Sequence, residues 1–468
     1  MQTLSQPGFT RDETDSLGTV SIPQQSLYGS NTARALENFP IDDKVLGQEI
    51  CLVRSIAQIK KACAQANMNL GNLEPTIGSA LVDACDEMIG GSLNEHLLVP
   101  ILEGSGGTST NMNANEVLAN RALQILHHEA GDYARVHPND HVNCCQSTND
   151  VIPSALKLAC YALVDDSKQS LQHLASALGK KVNEFAEVYR LGRTCLQDAQ
   201  PMTLGQAFEG YTAVINRAID RIANQQQALL AIPLGGTAIG TGLGSTSGFQ
   251  AEVFKQLEKI TGLSVTPSGN RFDGMQNMDE LQRLSAELET VAGAMAKIAR
   301  DFILLSSGPV GGLAEITLPA VQPGSSIMPG KVNPVIPMSV VQLSQIVHGN
   351  HCCITMACQD GMLEINHYEH SLASRLFDSL HRIAEIAETF ASRCVEGIEA
   401  NATRSMENLQ KSYALATTLV PKLGYTAVSK LVKDSVRCER PFLDIAQERN
   451  LISESEILEL IKASVKIS

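Results

Sequence analysis

A long, evenly spaced series of apolar residues limits the folds open to this chain more than any other feature of its sequence. Between residues 281 and 305, apolar side chains recur at alternating intervals of three and four residues. The members of this seam are Leu281, Leu284, Leu288, Val291, Met295, Ile298, Phe302 and Leu305. Such a heptad-like period predicts one helix of about seven turns that packs against other helices along its length.

Two more segments show a helical period. One begins at Pro153, a residue suited to the first turn of a helix, and continues to Phe185. The other runs from Val340 towards Met356. Helices this long cannot bury both ends in one small domain, so we predict a mainly α fold with a long central helical bundle shared between subunits. The predicted domains are a mixed, mostly helical domain (1–145), the bundle (146–400) and a small helical domain (401–468).

The composition excludes several classes of protein. Apolar residues make up 44% and charged residues 18% of the 468, which suffices for a large core and argues against disorder. The formal charge is −14 and no Lys/Arg run occurs, so nucleic acid is not an expected partner. The sequence contains no uncharged apolar stretch of about 18 residues, so no membrane-spanning helix is predicted. The twelve cysteines lack disulfide or zinc spacing and the N-terminus lacks a signal-peptide pattern, which together predict a cytoplasmic protein.

Four polar clusters with turn-forming residues do not suit a packed core. They span residues 104–116, 137–150, 192–206 and 324–334. Taken singly, the cluster before Pro153 predicts only a helix cap and a turn. The clusters repeat one chemistry, however, with neutral donors beside glycines, and the last, "GSSIMPGKVNP", adds the charge of Lys331. This recurrence predicts a site for a small dianion whose charge rises during reaction, because hydroxyl and backbone N–H groups stabilise an oxyanion.

The histidines of the second cluster raise a different interpretation, a metal-dependent hydrolase. His137, Asp140 and His141 show no recognisable metal-ligand spacing, so no metal site is predicted. No cofactor is expected either, and the sequence leaves activation by a divalent cation open.

The order and wording of the four clusters resemble the fumarase/aspartase superfamily over essentially the whole chain. "GSSIMPGKVNP" is similar to the signature loop of that family. The resemblance implies reversible anti-elimination from a succinyl-type substrate to release fumarate. It also implies a homotetramer in which each active site draws clusters from three subunits, with a small dicarboxylate as the ligand. A relative kept only as a structural or binding protein would have no need of the intact clusters.

The resemblance implies roles for individual residues. Ser325 resembles the catalytic base, which removes a proton from the carbon next to a carboxylate. Lys331 and Asn333 resemble the clamp for the carboxylate distal to the carbanion. The donors that hold the other carboxylate as it becomes a doubly charged aci-carboxylate correspond to Thr108, Ser147, Thr148 and Ser326. The remaining matches are Asn149 and Thr194 near the leaving group, and His137, Asn139 and Asp140 at a secondary anion-binding site.

The wording of the motifs separates the branches of this family. "TSTNMNANE" and "QSTND" resemble the aspartase branch, whereas Gly330 leans towards fumarases. Cys195 stands where fumarases and some aspartases carry His, and Met338 stands where most members carry Glu. The resemblance therefore implies loss of ammonia from L-aspartate, with an altered leaving-group pocket at these two residues. Conversion of L-malate to fumarate and elimination from another amine-substituted succinate are the alternatives.

Overall fold

The computed structural model describes residues 9–42 and 44–465, and within them the chain is mainly α, as the sequence predicts. The helices are α1 (Ser30–Asn38), α2 (Ile50–Asn69), α3 (Pro75–Ile89), α4 (Thr108–Ile125), α5 (Thr148–Glu184), α6 (Leu204–Ala228), α7 (Phe249–Thr261), α8 (Arg271–Gln276), α9 (Asp279–Leu305), α10 (Val335–Gln359), α11 (Glu369–Arg393), α12 (Ala402–Lys411), α13 (Ala416–Leu423), α14 (Tyr425–Cys438), α15 (Phe442–Glu448) and α16 (Glu454–Ser464). The strands form short pairs and are β1 (Thr10–Asp15), β2 (Gly18–Pro23), β3 (Tyr189–Thr194), β4 (Gln197–Thr203), β5 (Ala231–Ile232), β6 (Thr266–Pro267), β7 (Ile316–Thr317) and β8 (Glu399–Ala400).

The three helices predicted from apolar periodicity are all present. The seam lies on α9, and its eight apolar side chains are between 0% and 4% exposed. The third helix, α10, begins at Val335 rather than Val340. The prediction for α5 was wrong by one turn, because this helix begins at Thr148 and Pro153 lies inside it. The side chain of Asp150 accepts a hydrogen bond from the Ser147 N–H at 2.9 Å, so the polar cluster rather than the proline starts the helix.

The chain divides into two compact units. The first comprises Met1–Asp166, Arg221–Glu289 and Val347–His381. The second comprises Ser167–Asp220, Thr290–Ile346 and Arg382–Ser468. The domain boundaries near residues 145 and 400 stay a prediction. They fall just before α5 and at the end of β8.

The first unit is built around α2 and α4. Helix α2 packs against α3 and α7, and α3 packs against α4. Every residue of α4 from Ser109 to Asn120 is buried, including its asparagines. Asn120 donates to the Leu27 carbonyl at 2.8 Å, and Asn113 donates to the His96 carbonyl at 3.0 Å. The asparagines of α4 therefore belong to a packed, hydrogen-bonded interior.

The second unit has an aromatic centre and a separate C-terminal core. Phe208 stacks on Phe302 with ring centroids 5.5 Å apart, and Phe390 packs against Phe302 at 5.7 Å. Helices α12 to α16 enclose another apolar cluster, which contains Leu409 and Phe442. Among the described residues, no helix is long and apolar enough to cross a membrane.

Candidate active site

The first cluster forms the N-terminal end of α4. Gly107 precedes the helix with φ of 89°, a left-handed conformation that glycine adopts without strain. The buried carboxylate of Glu103 accepts from the Gly107 N–H at 3.1 Å and also from the Ser105 N–H. Thr108 is the first helical residue and is exposed. Its hydroxyl therefore stands at a helix N-terminus, where backbone N–H groups favour an anion.

The second cluster meets the first one directly. Asn111 of α4 donates through Nδ2 to Thr148 Oγ1 at 3.2 Å. A Cβ at Gly107 would lie 3.2 Å from Thr148 Cγ2, tighter than an ordinary van der Waals contact, so glycine suits the close approach of the two helix starts. Ser147, Thr148 and Asn149 are each only partly buried. The structure thus brings the predicted donors of α4 and α5 to one place, with two helix N-termini beside each other.

A buried lysine beneath these clusters was missed at the level of sequence. Lys60 of α2 is 1% exposed and donates through Nζ to Asn143 Oδ1 and Gln146 Oε1, each at 3.0 Å. Asn143 Oδ1 also accepts from Asn111, the residue that contacts Thr148. Burial lowers the pKa of Lys60 to about 8. The available signal was a Lys on the apolar face of α2, between the buried residues Ile56 and Cys63.

A histidine and two carboxylates lie behind the same glycine loop, and these were also missed. His370 Nε2 is 2.9 Å from Thr110 Oγ1 and 3.6 Å from a Glu103 oxygen. Burial lowers the pKa of His370, so the imidazole is neutral at pH 7. Burial, reinforced by the charge of Glu103, raises the pKa of Glu369 well above its usual value. These groups fix the inner side of the loop that leads to Thr108.

The third cluster forms the hairpin between β3 and β4. Thr194 pairs with Gln197, and the two turn residues, Cys195 and Leu196, have φ of 51° and 62°. Two successive left-handed residues are typical of the tight turn that best fits the twist of a two-residue hairpin. Thr194 and Cys195 are both exposed at its tip. The predicted leaving-group residues of this cluster are thus presented outward on a short, paired hairpin.

The signature loop is closed by its own hydrogen bonds. The Gly324 N–H donates to the Lys331 carbonyl at 2.7 Å, and Asn333 Nδ2 donates to the Gly324 carbonyl at 2.7 Å. Asn333 therefore braces the base of the loop, in addition to the carboxylate contact that the resemblance implies. Lys331 and Ser326 are exposed, and Lys331 forms no side-chain hydrogen bond or ion pair with the described residues.

Backbone N–H groups contact the side-chain oxygen of Ser325. Its Oγ accepts hydrogen bonds from the backbone N–H groups of Ile327 at 3.2 Å and Met328 at 3.0 Å. Donors directed at a hydroxyl oxygen stabilise its deprotonated form and lower its pKa. Residues 326–330 form bends and a turn rather than a helix or strand, which leaves those N–H groups free to point at Oγ. Met338, on the first turn of α10, is 46% exposed.

The candidate anion-binding site around His137 is a capped turn. His137 Nδ1 accepts from the N–H of Asn139 at 3.1 Å and the N–H of Asp140 at 3.3 Å. An acceptor at Nδ1 places the ring proton of a neutral imidazole on Nε2. His141 Nδ1 in turn accepts from the His137 N–H at 2.8 Å. Asn139 and Asp140 are exposed, so the role of this turn in binding an anion stays a prediction.

Comparison with known proteins assigns the family. The sequence profile of a lyase family matches residues 18–349. The chain belongs to the fumarase/aspartase superfamily of lyases. A curated aspartate ammonia-lyase from Helicobacter pylori is 39% identical over 98% of both chains, and a class II fumarate hydratase from Rhizobium meliloti is 40% identical over 91% of both. Among solved structures, a cobalt-bound "fumarate lyase:delta crystallin" from Brucella melitensis, 41% identical, matches with a TM-score of 0.95 and covers 98% of this chain and 100% of that one.

Membership of this superfamily confirms the resemblance on which the site assignments depend. The mainly α fold and the fumarase/aspartase type of lyase are confirmed. The individual roles of the site residues stay predictions. Thr108, Ser147, Thr148 and Asn149 belong to the first compact unit, whereas Thr194 and the signature loop belong to the second.

Proposed function

We propose that this superfamily member eliminates ammonia from L-aspartate to give fumarate, with Ser325 as the base. The observation that carries the proposal is the pair of N–H groups, from Ile327 and Met328, that donate to Ser325 Oγ. As an alkoxide, Oγ takes a proton from the carbon next to one carboxylate. The electron pair of that C–H bond moves into the carboxylate, which becomes a doubly charged aci-carboxylate. This pair then forms the double bond, and the C–N pair leaves with ammonia.

The aci-carboxylate needs donors that are fixed before the reaction. Thr108 and the pair Ser147–Thr148 supply hydroxyl groups at two adjacent helix N-termini, with Ser326 as a further donor from the signature loop. The positive Lys60 beneath them adds to the local preference for negative charge. Losing one such donor is expected to raise the barrier by about 2.7–4 kcal/mol. Lys331, with Asn333, holds the other carboxylate.

Two observations support aspartate over malate as the substrate. The motifs "TSTNMNANE" and "QSTND" have the aspartase wording. Several curated aspartate ammonia-lyases are also 38–40% identical over nearly the full chain. The class II fumarate hydratase at 40% identity makes fumarate hydratase the second candidate. Cys195 and Met338 leave a third candidate open, a lyase for another amine-substituted succinate.

The deciding experiment measures fumarate formation by ultraviolet absorbance from L-aspartate and, separately, from L-malate. Turnover of aspartate alone supports the proposal. Turnover of malate alone makes the enzyme a fumarate hydratase, and turnover of neither directs the search to N-substituted aspartates.

The double variant Cys195→His with Met338→Glu tests the altered pocket. Restoring both polar partners is expected to change the ratio of kcat/KM for aspartate to that for malate. The two single variants are the controls, since each restores only half of the pair. An unchanged ratio in the double variant would show that these two positions do not determine the leaving group.

A further inference from the structure

The Asn149 amide is held in one orientation. Its Nδ2 donates to the backbone carbonyl of Ala238 at 2.8 Å. A carbonyl oxygen only accepts, so the NH₂ half of the amide must face Ala238. No hydrogen bond from the described residues reaches Asn149 Oδ1. The amide thus keeps an acceptor, not a donor, for whatever lies beside the start of α5.

Ala238 lies in a glycine-rich loop, residues 233–248, that sequence reasoning did not single out. Thr237, next to Ala238, has φ of 55°, an unfavourable conformation for a β-branched residue. Thr237 is 4% exposed, and its hydroxyl has no hydrogen-bond partner among the described residues. A backbone strained in this way persists only where the surrounding structure holds it, and such strain often marks functional sites.

The Asp150 carboxylate bonds to this backbone at two points, and Gln250 and Arg271 each donate to one of the loop's carbonyls. Its Oδ2 accepts from the N–H groups of Gly235 at 3.0 Å and Thr237 at 2.9 Å. Its Oδ1 accepts from the Ser147 N–H at 2.9 Å. One fully buried carboxylate therefore ties the start of α5 to a loop about ninety residues further along the chain.

We propose that Asp150 is a positioning residue for recognition of the leaving group. It holds the glycine loop in the conformation in which the Ala238 carbonyl accepts from Asn149 Nδ2. This contact turns Asn149 Oδ1 towards the departing amine. This inference rests on the proposed function and extends it to residues 150 and 233–248. An ammonium group only donates hydrogen bonds, so it requires acceptors such as Oδ1. A hydroxyl leaving group both donates and accepts and depends less on the orientation of the amide.

The proposal predicts that the amine substrate binds more weakly at acid pH. Burial raises the pKa of Asp150 to about 6, although its three N–H donors and the facing Lys60 of α2 oppose the rise. The Cys63 thiol is the other titratable group of α2 that faces it. Below about pH 6 Asp150 takes up a proton, its hold on the loop weakens, and KM for the amine substrate rises.

The test compares Asp150→Asn with Glu116→Gln. Glu116 is a matched control because it is also a buried carboxylate with a raised pKa that accepts from three backbone N–H groups, those of Gly29, Asn31 and Thr32. Each variant removes a negative charge that accepts hydrogen bonds from buried backbone N–H groups. Of these two carboxylates, only Asp150 bonds to the segment that orients Asn149, so the two variants should differ in substrate binding and not merely in stability.

Two measurements decide the outcome. Hydrogen exchange of segment 233–248 should accelerate about ten- to a hundredfold in Asp150→Asn, the equivalent of losing hydrogen bonds to a charged acceptor, and stay unchanged in Glu116→Gln. KM for aspartate should rise about tenfold or more in Asp150→Asn with a smaller change in kcat, and the rise of KM below about pH 6 should disappear.

Three results would overturn the inference: unchanged exchange of segment 233–248, accelerated exchange with an unchanged KM and pH profile, or an equal rise of KM in Glu116→Gln. If the wild-type enzyme acts on malate and not on aspartate, the proposed function fails first. The wild-type assay shows this by itself, and the ammonium-recognition part of the inference fails with it.

Discussion

At the scale of single residues, the proposed base is Ser325. The hydroxyl of an isolated serine holds its proton tightly, but two backbone N–H groups converge on Oγ in this loop. We predict that Ser325→Ala lowers kcat by about a hundredfold or more, since a positioned base contributes about 10²–10⁴-fold. The rate of fumarate formation checks this prediction.

The control for this variant is Ser339→Ala. Ser339 is an exposed serine on α10 whose hydroxyl only bonds back to the Val335 carbonyl. It should retain normal turnover. Near-normal activity of Ser325→Ala would remove Ser325 from the role of base.

Lys331 illustrates a charge that the folded chain leaves available. It is exposed and unpaired among the described residues, against a formal net charge of −14 for the chain. We predict that Lys331→Ala raises KM about ten- to a hundredfold, because a hydrogen bond to a charged group is worth about 1.5–3 kcal/mol. Steady-state kinetics provides the measurement, with the exposed Lys259→Ala on α7 as control. An unchanged KM would contradict the carboxylate-clamp assignment.

At the scale of elements, the signature loop depends on Asn333 for its shape. The amide of Asn333 bonds to the Gly324 carbonyl, and the Gly324 N–H bonds to the Lys331 carbonyl. We predict that Asn333→Ala accelerates hydrogen exchange of residues 324–331 by up to about tenfold, because one neutral hydrogen bond of about 0.5–1.5 kcal/mol is lost.

The comparison with Lys331→Ala separates bracing from substrate binding. Both variants should raise KM, but Lys331→Ala should leave the exchange of the loop unchanged. Equal exchange in the wild type and Asn333→Ala would show that the brace contributes nothing to the loop.

The burial of the heptad-like seam differs from the expectation that its period raised, which was packing between subunits. The eight seam residues of α9 are already buried within one chain, so the seam does not by itself require a partner subunit. Helix α10 has several exposed apolar residues. Its 25 residues include no Asp, Glu, Lys or Arg, and its exposed residues include Met338, Ile346 and Met356.

At the scale of the whole molecule, this uncharged face supports assembly into the homotetramer that the family resemblance implies. Exposed apolar residues along an uncharged helix are typical of surfaces that another protein chain covers. We predict that Ile346→Lys shifts the protein to smaller species, because a buried unpaired charge costs several kcal/mol. Analytical ultracentrifugation over a range of concentrations measures the effect.

The matched control places the same charge on a different helix. Ala251 is an exposed residue of α7, a helix with charged residues at its surface, and Ala251→Lys should leave the assembly unchanged. If active sites combine clusters from several subunits, Ile346→Lys should lose activity together with assembly. A fully active, smaller Ile346→Lys species would contradict shared sites.

The sequence by itself determined the local features of this protein. The period of the seam predicted α9, the wording of four clusters indicated the family, and "GSSIMPGKVNP" indicated Ser325 and Lys331. The predictions of α9 and of the family are confirmed because a helical period and a motif are properties of neighbouring residues, readable without knowing what they touch, whereas the roles of Ser325 and Lys331 stay predictions.

Only the tertiary structure decided which partner each polar group has. It placed Lys60 under the second cluster, turned Asn333 into a brace and joined Asp150 to the backbone of Gly235 and Thr237. The residues of most of these pairs are separated by about eighty positions or more along the chain. A hydrogen bond depends on distance and direction in space, and a burial-shifted pKa depends on the whole surroundings, so neither follows from a stretch of sequence.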